Sequence, residues 1–161
     1  AIAIMIGQHL GADRMDEARR DVWRLMFFSV AQCFVIGAVM AILAPYFPLL
    51  YNTTDEVRHL ATRFLITLAL FMPIHATSHA SYFTLRSGGS TLMTFIFDAA
   101  YVWVINIPLA LALTKLTDLP IIILFPLVEA SGILKLVLGI TIVRSGVWVK
   151  NIVVPKAVDA V

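Results

Sequence analysis

The sequence predicts an all-α, polytopic membrane helix bundle, and three observations carry that prediction. Of the 161 residues, 60% are hydrophobic and 14% are charged, whereas an ordinary soluble domain is nearer half apolar and a quarter charged. The apolar residues gather into four runs, Leu25–Ala44, Phe64–Leu85, Leu92–Leu113 and Leu119–Val143. Each is long enough to cross a hydrocarbon core of about 30 Å as a helix rising about 1.5 Å per residue. The second and third runs are separated only by the polar break in Leu85-Arg86-Ser87-Gly88-Gly89-Ser90-Thr91, which leaves room for little except a tight helical hairpin.

In chain order, Ala1–Gly11 reads as the end of a preceding span. It has neither a basic n-region nor a small-residue cleavage site, so it is not a signal peptide, and the chain is expected to be a piece of a longer polytopic protein. Asp13–Arg24 mixes acids and bases at helical spacing. Asp16 with Arg20 attracts and Asp13 with Glu17 repels, as in a solvated helical lead-in. Pro45, Pro48 and Asn52-Thr53-Thr54-Asp55 end the first full span and open the second, with Thr54 or Asp55 as N-cap. Pro73, Pro108, Pro120 and Pro126 interrupt or open the later spans and should bend them where neighbours or cavities satisfy the freed carbonyls. Trp23 and Trp148 fall near the span edges, where an aromatic belt is expected. The single cysteine, Cys33, lies within a span and cannot form an internal disulfide.

The basic residues give sidedness. Arg14, Arg19, Arg20 and Arg24, then Arg86, then Arg144, Lys150 and Lys156 fall on one side of a four-span bundle. Arg58, Arg63 and Lys115 fall on the other. The positive-inside rule places the first set in the cytoplasm, with residues 144–161 as a cytoplasmic tail. Topology thus accounts for the bases, the net charge of +2 is small, and nucleic acid is not an expected partner.

Charges inside hydrocarbon are costly and face a partner, a bundle interior or water. Asp98 lies roughly 9 Å into its span at about 1.5 Å per residue. It reads either as a carboxylate facing a water-filled cavity, able to bind a cation or proton, or as a structural acid paired with a base. Glu129, near the middle of the last span, has the same two readings. Lys135 is closer to the edge, where its long stem can snorkel. It stands about 120° around the helix from Glu129, so the two are not expected to pair. His75, Ser78, His79, Tyr82 and Arg86 form a stripe down one helix face to the hairpin, lining a cavity or joining helices by hydrogen bonds. His75 and His79 have a zinc-like spacing, but the intervening Ala76-Thr77-Ser78 lacks the metalloprotease glutamate, and no metal or cofactor is expected. Asn106 and Pro108 make a further polar break, Asn106 being placed to satisfy a carbonyl freed by the bend. No nucleophile–base pair, phosphate loop or cofactor fingerprint is present, so no catalytic residue is assigned and the protein is not expected to be an enzyme.

Four segments together carry a resemblance. Gly7-Gln8-His9-Leu10-Gly11-Ala12, followed by Ala18-Arg19, is similar to the Gly-Gln-x-x-Gly-Ala turn of the multidrug and toxic compound extrusion (MATE) transporters. The hairpin, with Arg86, Gly88, Gly89 and Thr91, resembles that family's Leu-Arg-x-Gly-Gly-Asp-Thr. Asp98 through Trp103 to Pro108-Leu109-Ala110 resembles the helix that follows it. Arg144-Ser145-Gly146-x-Trp148-x-Lys150-Asn151 resembles the ending of bacterial members. The resemblance implies the C-terminal lobe of a twelve-helix transporter, from the end of the eighth helix onward. The N-terminal half of the same chain would lie upstream, and the protein would sit in the bacterial plasma membrane.

What the resemblance implies is an antiporter that exports drugs or other organic, often cationic, compounds in exchange for protons or sodium ions by alternating access. The ion-coupling candidates are then Asp98 and Glu129, and the cleft-lining candidates are His75, His79, Tyr82 and Asn106. Two departures stand out. Ser90 replaces the hairpin Asp, and the helix of His75 lacks the carboxylate that some sodium-coupled members place at that depth, which favours protons. A lipid-linked sugar flippase of the same architecture is the alternative, although only Lys135 offers a base within a span. A truncated module that does not transport is another.

Overall fold

The computed structural model describes residues 2–150, all of whose regular structure is helical. A short helix α1 (Ile2–Gly11) is followed by four helices long and apolar enough to cross a membrane: α2 (Met15–Leu43), α3 (Asp55–Ser87), α4 (Leu92–Leu116) and α5 (Ile121–Ser145). α2 and α3 outrun their apolar stretches because each opens on a solvated, charged turn. Asp16 and Glu17 complement the positive end of the α2 dipole, as Asp55 and Glu56 do for α3. Thr54 caps α3, its hydroxyl accepting from the Val57 N–H at 3.5 Å. The lead-in charges pair across the α1–α2 turn. His9 stands between Glu17 at 3.5 Å and Asp21 at 3.3 Å, and Arg14 meets Glu17 at 3.4 Å.

α3 is the central helix and packs against each of the others. Its sequence explains how. Thr77, Ser81, Thr84 and Ser87 each return their hydroxyl to the carbonyl four residues back, so small polar side chains are satisfied within the helix in an apolar interior, and Ser87 also reaches the Ala3 carbonyl of α1 at 3.2 Å. Pro73 has no N–H, which strips the Ala69 carbonyl of its helical partner. α2 crosses at that point. A Cβ on Gly37 would stand 2.7 Å from the Ala69 oxygen, so only glycine's hydrogens fit between the helices. Gly37→Leu is therefore expected to force α2 and α3 apart and to cost about 1–3 kcal/mol, as overpacking does. Thermal unfolding in detergent micelles checks it, and an unchanged midpoint would refute the crossing. α5 meets α3 and α4 in the same manner at Gly139, where a Cβ would lie 2.8 Å from the Ser81 hydroxyl and 3.1 Å from the Phe97 ring.

The buried cluster gathers at the hairpin end. Ile6 and Leu10 of α1 meet Val22 and Met26 of α2, Leu85 of α3, Phe97 of α4, Val143 of α5 and Trp148. Trp148 corrects the aromatic-belt expectation. Gly146 ends α5 in the left-handed conformation (φ 70°) and turns the chain back. The indole is then 1% exposed, and its Nε1 donates to the Val143 carbonyl at 2.9 Å. Trp23 remains partly exposed. Toward the rest of the bundle, large apolar side chains such as Phe27, Phe34, Leu70, Trp103 and Leu116 face outward, as a bilayer solvent permits. Of the tail expected at 144–161, residues 151–161, which include Asn151 and Lys156, lie outside the described residues.

Candidate functional site

The site begins with an irregularity in α4. Ile96–Ala100 and Val102–Asn106 are π-helical, and Pro108, just beyond, leaves the Val104 carbonyl without its usual donor. A π turn bonds i to i+5, which brings residues five apart nearly into line. At 3.6 residues per turn they would stand about 140° apart. Tyr101 and Asn106 are such a pair, and both reach Ser131 on α5. The Tyr101 hydroxyl contacts both the Ser131 carbonyl and, at 3.1 Å, its hydroxyl; the Asn106 amide donates to that hydroxyl at 3.4 Å. Asn106 thus bonds to the neighbouring helix, where the sequence had it repairing its own. Ser131 sits at a tightened turn of α5, its N–H bonding to Val128 and its carbonyl accepting from Leu134.

Two contacts between ionisable side chains flank this junction. His75 Nε2 lies 2.8 Å from Glu129 Oε2, with the glutamate side chain 19% exposed. Lys135 Nζ lies 2.5 Å from Asp98 Oδ1, with the two side chains 16% and 52% exposed. The ammonium also stands 5.3 Å from the Phe97 ring centre and 5.5 Å from that of Tyr101, a cation–π arrangement. Lys135 therefore does not snorkel. A carboxylate and two ring faces hold its charge inside the bundle. Glu129 and Lys135 take different partners, each on another helix.

Two cavities adjoin these pairs. The deeper one, about 180 Å³, is lined by His75, Ser78 and His79 of α3, by Tyr101 and Asn106 of α4, and by Glu129 and Lys135 of α5. The other, about 460 Å³, lies nearer the hairpin and is lined by Tyr82, Arg86, Thr94, Phe95, Asp98 and Ala99. The α3 stripe thus runs along both, His75 and His79 in one and Tyr82 and Arg86 in the other. Asp98 lines the hairpin-side cavity and Lys135 the deeper one, so their bond joins the two walls.

The hairpin itself is a packing device. Gly89 takes φ 70°, which favours glycine. Gly88 lies so close to the Trp148 carbonyl that a Cβ would stand 2.8 Å from its carbon. Ser90 accepts from Thr94 through its carbonyl. The Thr91 side chain lies outside those described. Among the described residues no group of three His, Cys, Asp or Glu side chains is placed to hold a metal ion.

Sequence reasoning missed Ser131, Tyr101 and Phe97 as members of the site, and it missed the partner of Lys135. Tyr101 carried a signal, because a phenol within a span must find a hydrogen-bond partner. Ser131 carried none.

No curated protein and no solved structure matches the chain. The model of the MatE family matches residues 1–112. That stretch takes in the central helix, the hairpin and Asp98, and stops short of Glu129 and Lys135. With four apolar helices of spanning length built around the hairpin, the chain belongs to the MatE family of membrane transporters.

Proposed function

We propose that the chain is part of a cation-coupled antiporter that exports drugs or other organic compounds, many of them cationic, by alternating access. The hairpin and tail would face the cytoplasm of a bacterial plasma membrane, and a second lobe from the same protein would complete the cleft. The observation that supports this reading best is the pair of ionisable bridges, His75–Glu129 and Asp98–Lys135, set at adjoining cavities within membrane-length helices. Carboxylates that bind a proton or cation at such a depth are what ion coupling requires. Glu129 and His75 carry the coupling ion, a proton by preference because the two side chains stand 2.8 Å apart and can hold one between them. Asp98 supplies the negative charge of the hairpin-side cavity. Tyr82, His79 and Asn106 line the path.

The test is dye efflux from cells or proteoliposomes holding the intact protein that carries this sequence. Glu129→Gln and Asp98→Asn are each expected to lower the rate at least about tenfold, equivalent to about 1.4 kcal/mol, and to change its dependence on imposed proton and sodium gradients. Unchanged rates and unchanged ion dependence in both variants would sink the assignment.

A further inference from the structure

We infer that Lys135 is a tethered cation that yields its place to a diffusible one, and that this exchange expels a proton from the His75–Glu129 pair. The inference deepens the antiport reading and rests on it. Its first support is that the Asp98 site already holds an ammonium. One carboxylate oxygen and the rings of Phe97 and Tyr101 surround Lys135 Nζ, which is the chemistry that also receives an organic ammonium or phosphonium ion. Asp98 is 52% exposed and lines the cavity of about 460 Å³, so a diffusible cation can approach it through that cavity.

The second support is where the lysine goes when displaced. Lys135 lines the deeper cavity together with Glu129, and in the proposed exchange the displaced ammonium enters that space. Local electroneutrality then sets the stoichiometry. Lys135 neutralises Asp98, and in the proposed resting state His75 and Glu129, 2.8 Å apart, share one proton, which leaves that pair neutral. With a cation on Asp98, the sum returns to its former value only when that proton departs to water and Lys135 neutralises the pair in its place. An uncompensated charge at this depth is costly, so cation entry and proton exit are linked one to one. Other charged and titratable groups face the two carboxylates. Arg86 and Tyr82 of α3 line the Asp98 cavity, and Arg86 keeps its charge throughout. His79 of α3 and Tyr101 of α4 line the Glu129 cavity.

The experiment is a double-mutant cycle on the intact protein in detergent. It measures the affinity for tetraphenylphosphonium, and the protons released on binding, in weakly buffered solution with a pH indicator. The unmodified protein should release about one proton per cation bound. Glu129→Gln should abolish the release and weaken binding about tenfold, because the displaced lysine then has no anion to neutralise. Lys135→Met, with Lys135→Gln as a second variant, should tighten binding and make affinity indifferent to Glu129→Gln. An equal effect of Glu129→Gln with and without Lys135 would overturn the exchange while leaving antiport standing. Proton release that persists in Glu129→Gln would overturn it too, in favour of His79. Absence of any binding or transport of organic cations by the unmodified protein would sink both the exchange and the antiport reading.

Discussion

Gly88→Val is expected to destabilise the bundle by about 3 kcal/mol, the upper end of what overpacking costs. The obstacle is backbone. A Cβ at position 88 would run into the Trp148 carbonyl, with the carbonyl carbon at 2.8 Å and the Cα at 2.9 Å, and no rotamer change moves those atoms. Relief comes only if residues 146–149 lift away from the hairpin. That movement uncovers Trp148, now 1% exposed, and opens the buried cluster it shares with Leu10 and Leu85. The loss is bounded by the cost of deleting a buried tryptophan outright, about 3–5 kcal/mol. Gly89→Ala strains a left-handed residue, at about 1–2 kcal/mol. The measurement is thermal unfolding in micelles in a Trp23→Phe, Trp103→Phe background, where Trp148 alone reports. Its emission should shift to the red in Gly88→Val even below the midpoint. An unshifted emission and an unchanged midpoint would show that the C-terminal turn does not rest on the hairpin.

The same contact shows where the sequence was legible and where it was not. Membrane-length runs, the hairpin and the cap at Thr54 can be read from residue types alone, because each depends on local rules of length, polarity and capping. Trp148 cannot. Its position in sequence is that of an interfacial anchor, and only the turn at Gly146, packed beside Arg19, sends it inward. The close approach of Gly37 to the Ala69 carbonyl is half legible. Pro73 announces a freed oxygen, but which helix approaches it depends on the pairing of distant segments.

For the candidate site, the polar residues themselves were visible because charge in an apolar run has few innocent explanations. Their pairing was not. A regular helix places Tyr101 and Asn106 on different faces; the π turns of α4 rewind them toward Ser131. The resulting junction brings α4 and α5 together, with Asp98 beside Lys135. Snorkelling follows from the depth of Lys135 alone. Capture by Asp98 and two aromatic rings follows from a helix–helix register that no spacing rule encodes.

Asp98 and Lys135 accordingly support the second large prediction, a strong non-additivity of their substitutions. Removing one member of a fully buried ion pair costs about 3–5 kcal/mol, because the other charge is left without compensation. Asp98 is half open to its cavity, so solvent screening reduces the figure, and Asp98→Asn alone is expected to cost about 1–3 kcal/mol. Lys135, only 16% exposed, is the member left stranded. Adding Lys135→Met to Asp98→Asn should therefore restore most of the loss. Methionine fills a similar volume between Phe97 and Tyr101 and makes favourable sulfur–aromatic contacts. The coupling energy from a double-mutant cycle should reach about 1–2 kcal/mol, within the range for residues in direct contact. Unfolding midpoints of the four proteins in micelles supply it. Additive single effects would mean that Asp98 and Lys135 do not sense each other, and the 2.5 Å bond between them would then contribute nothing to the fold.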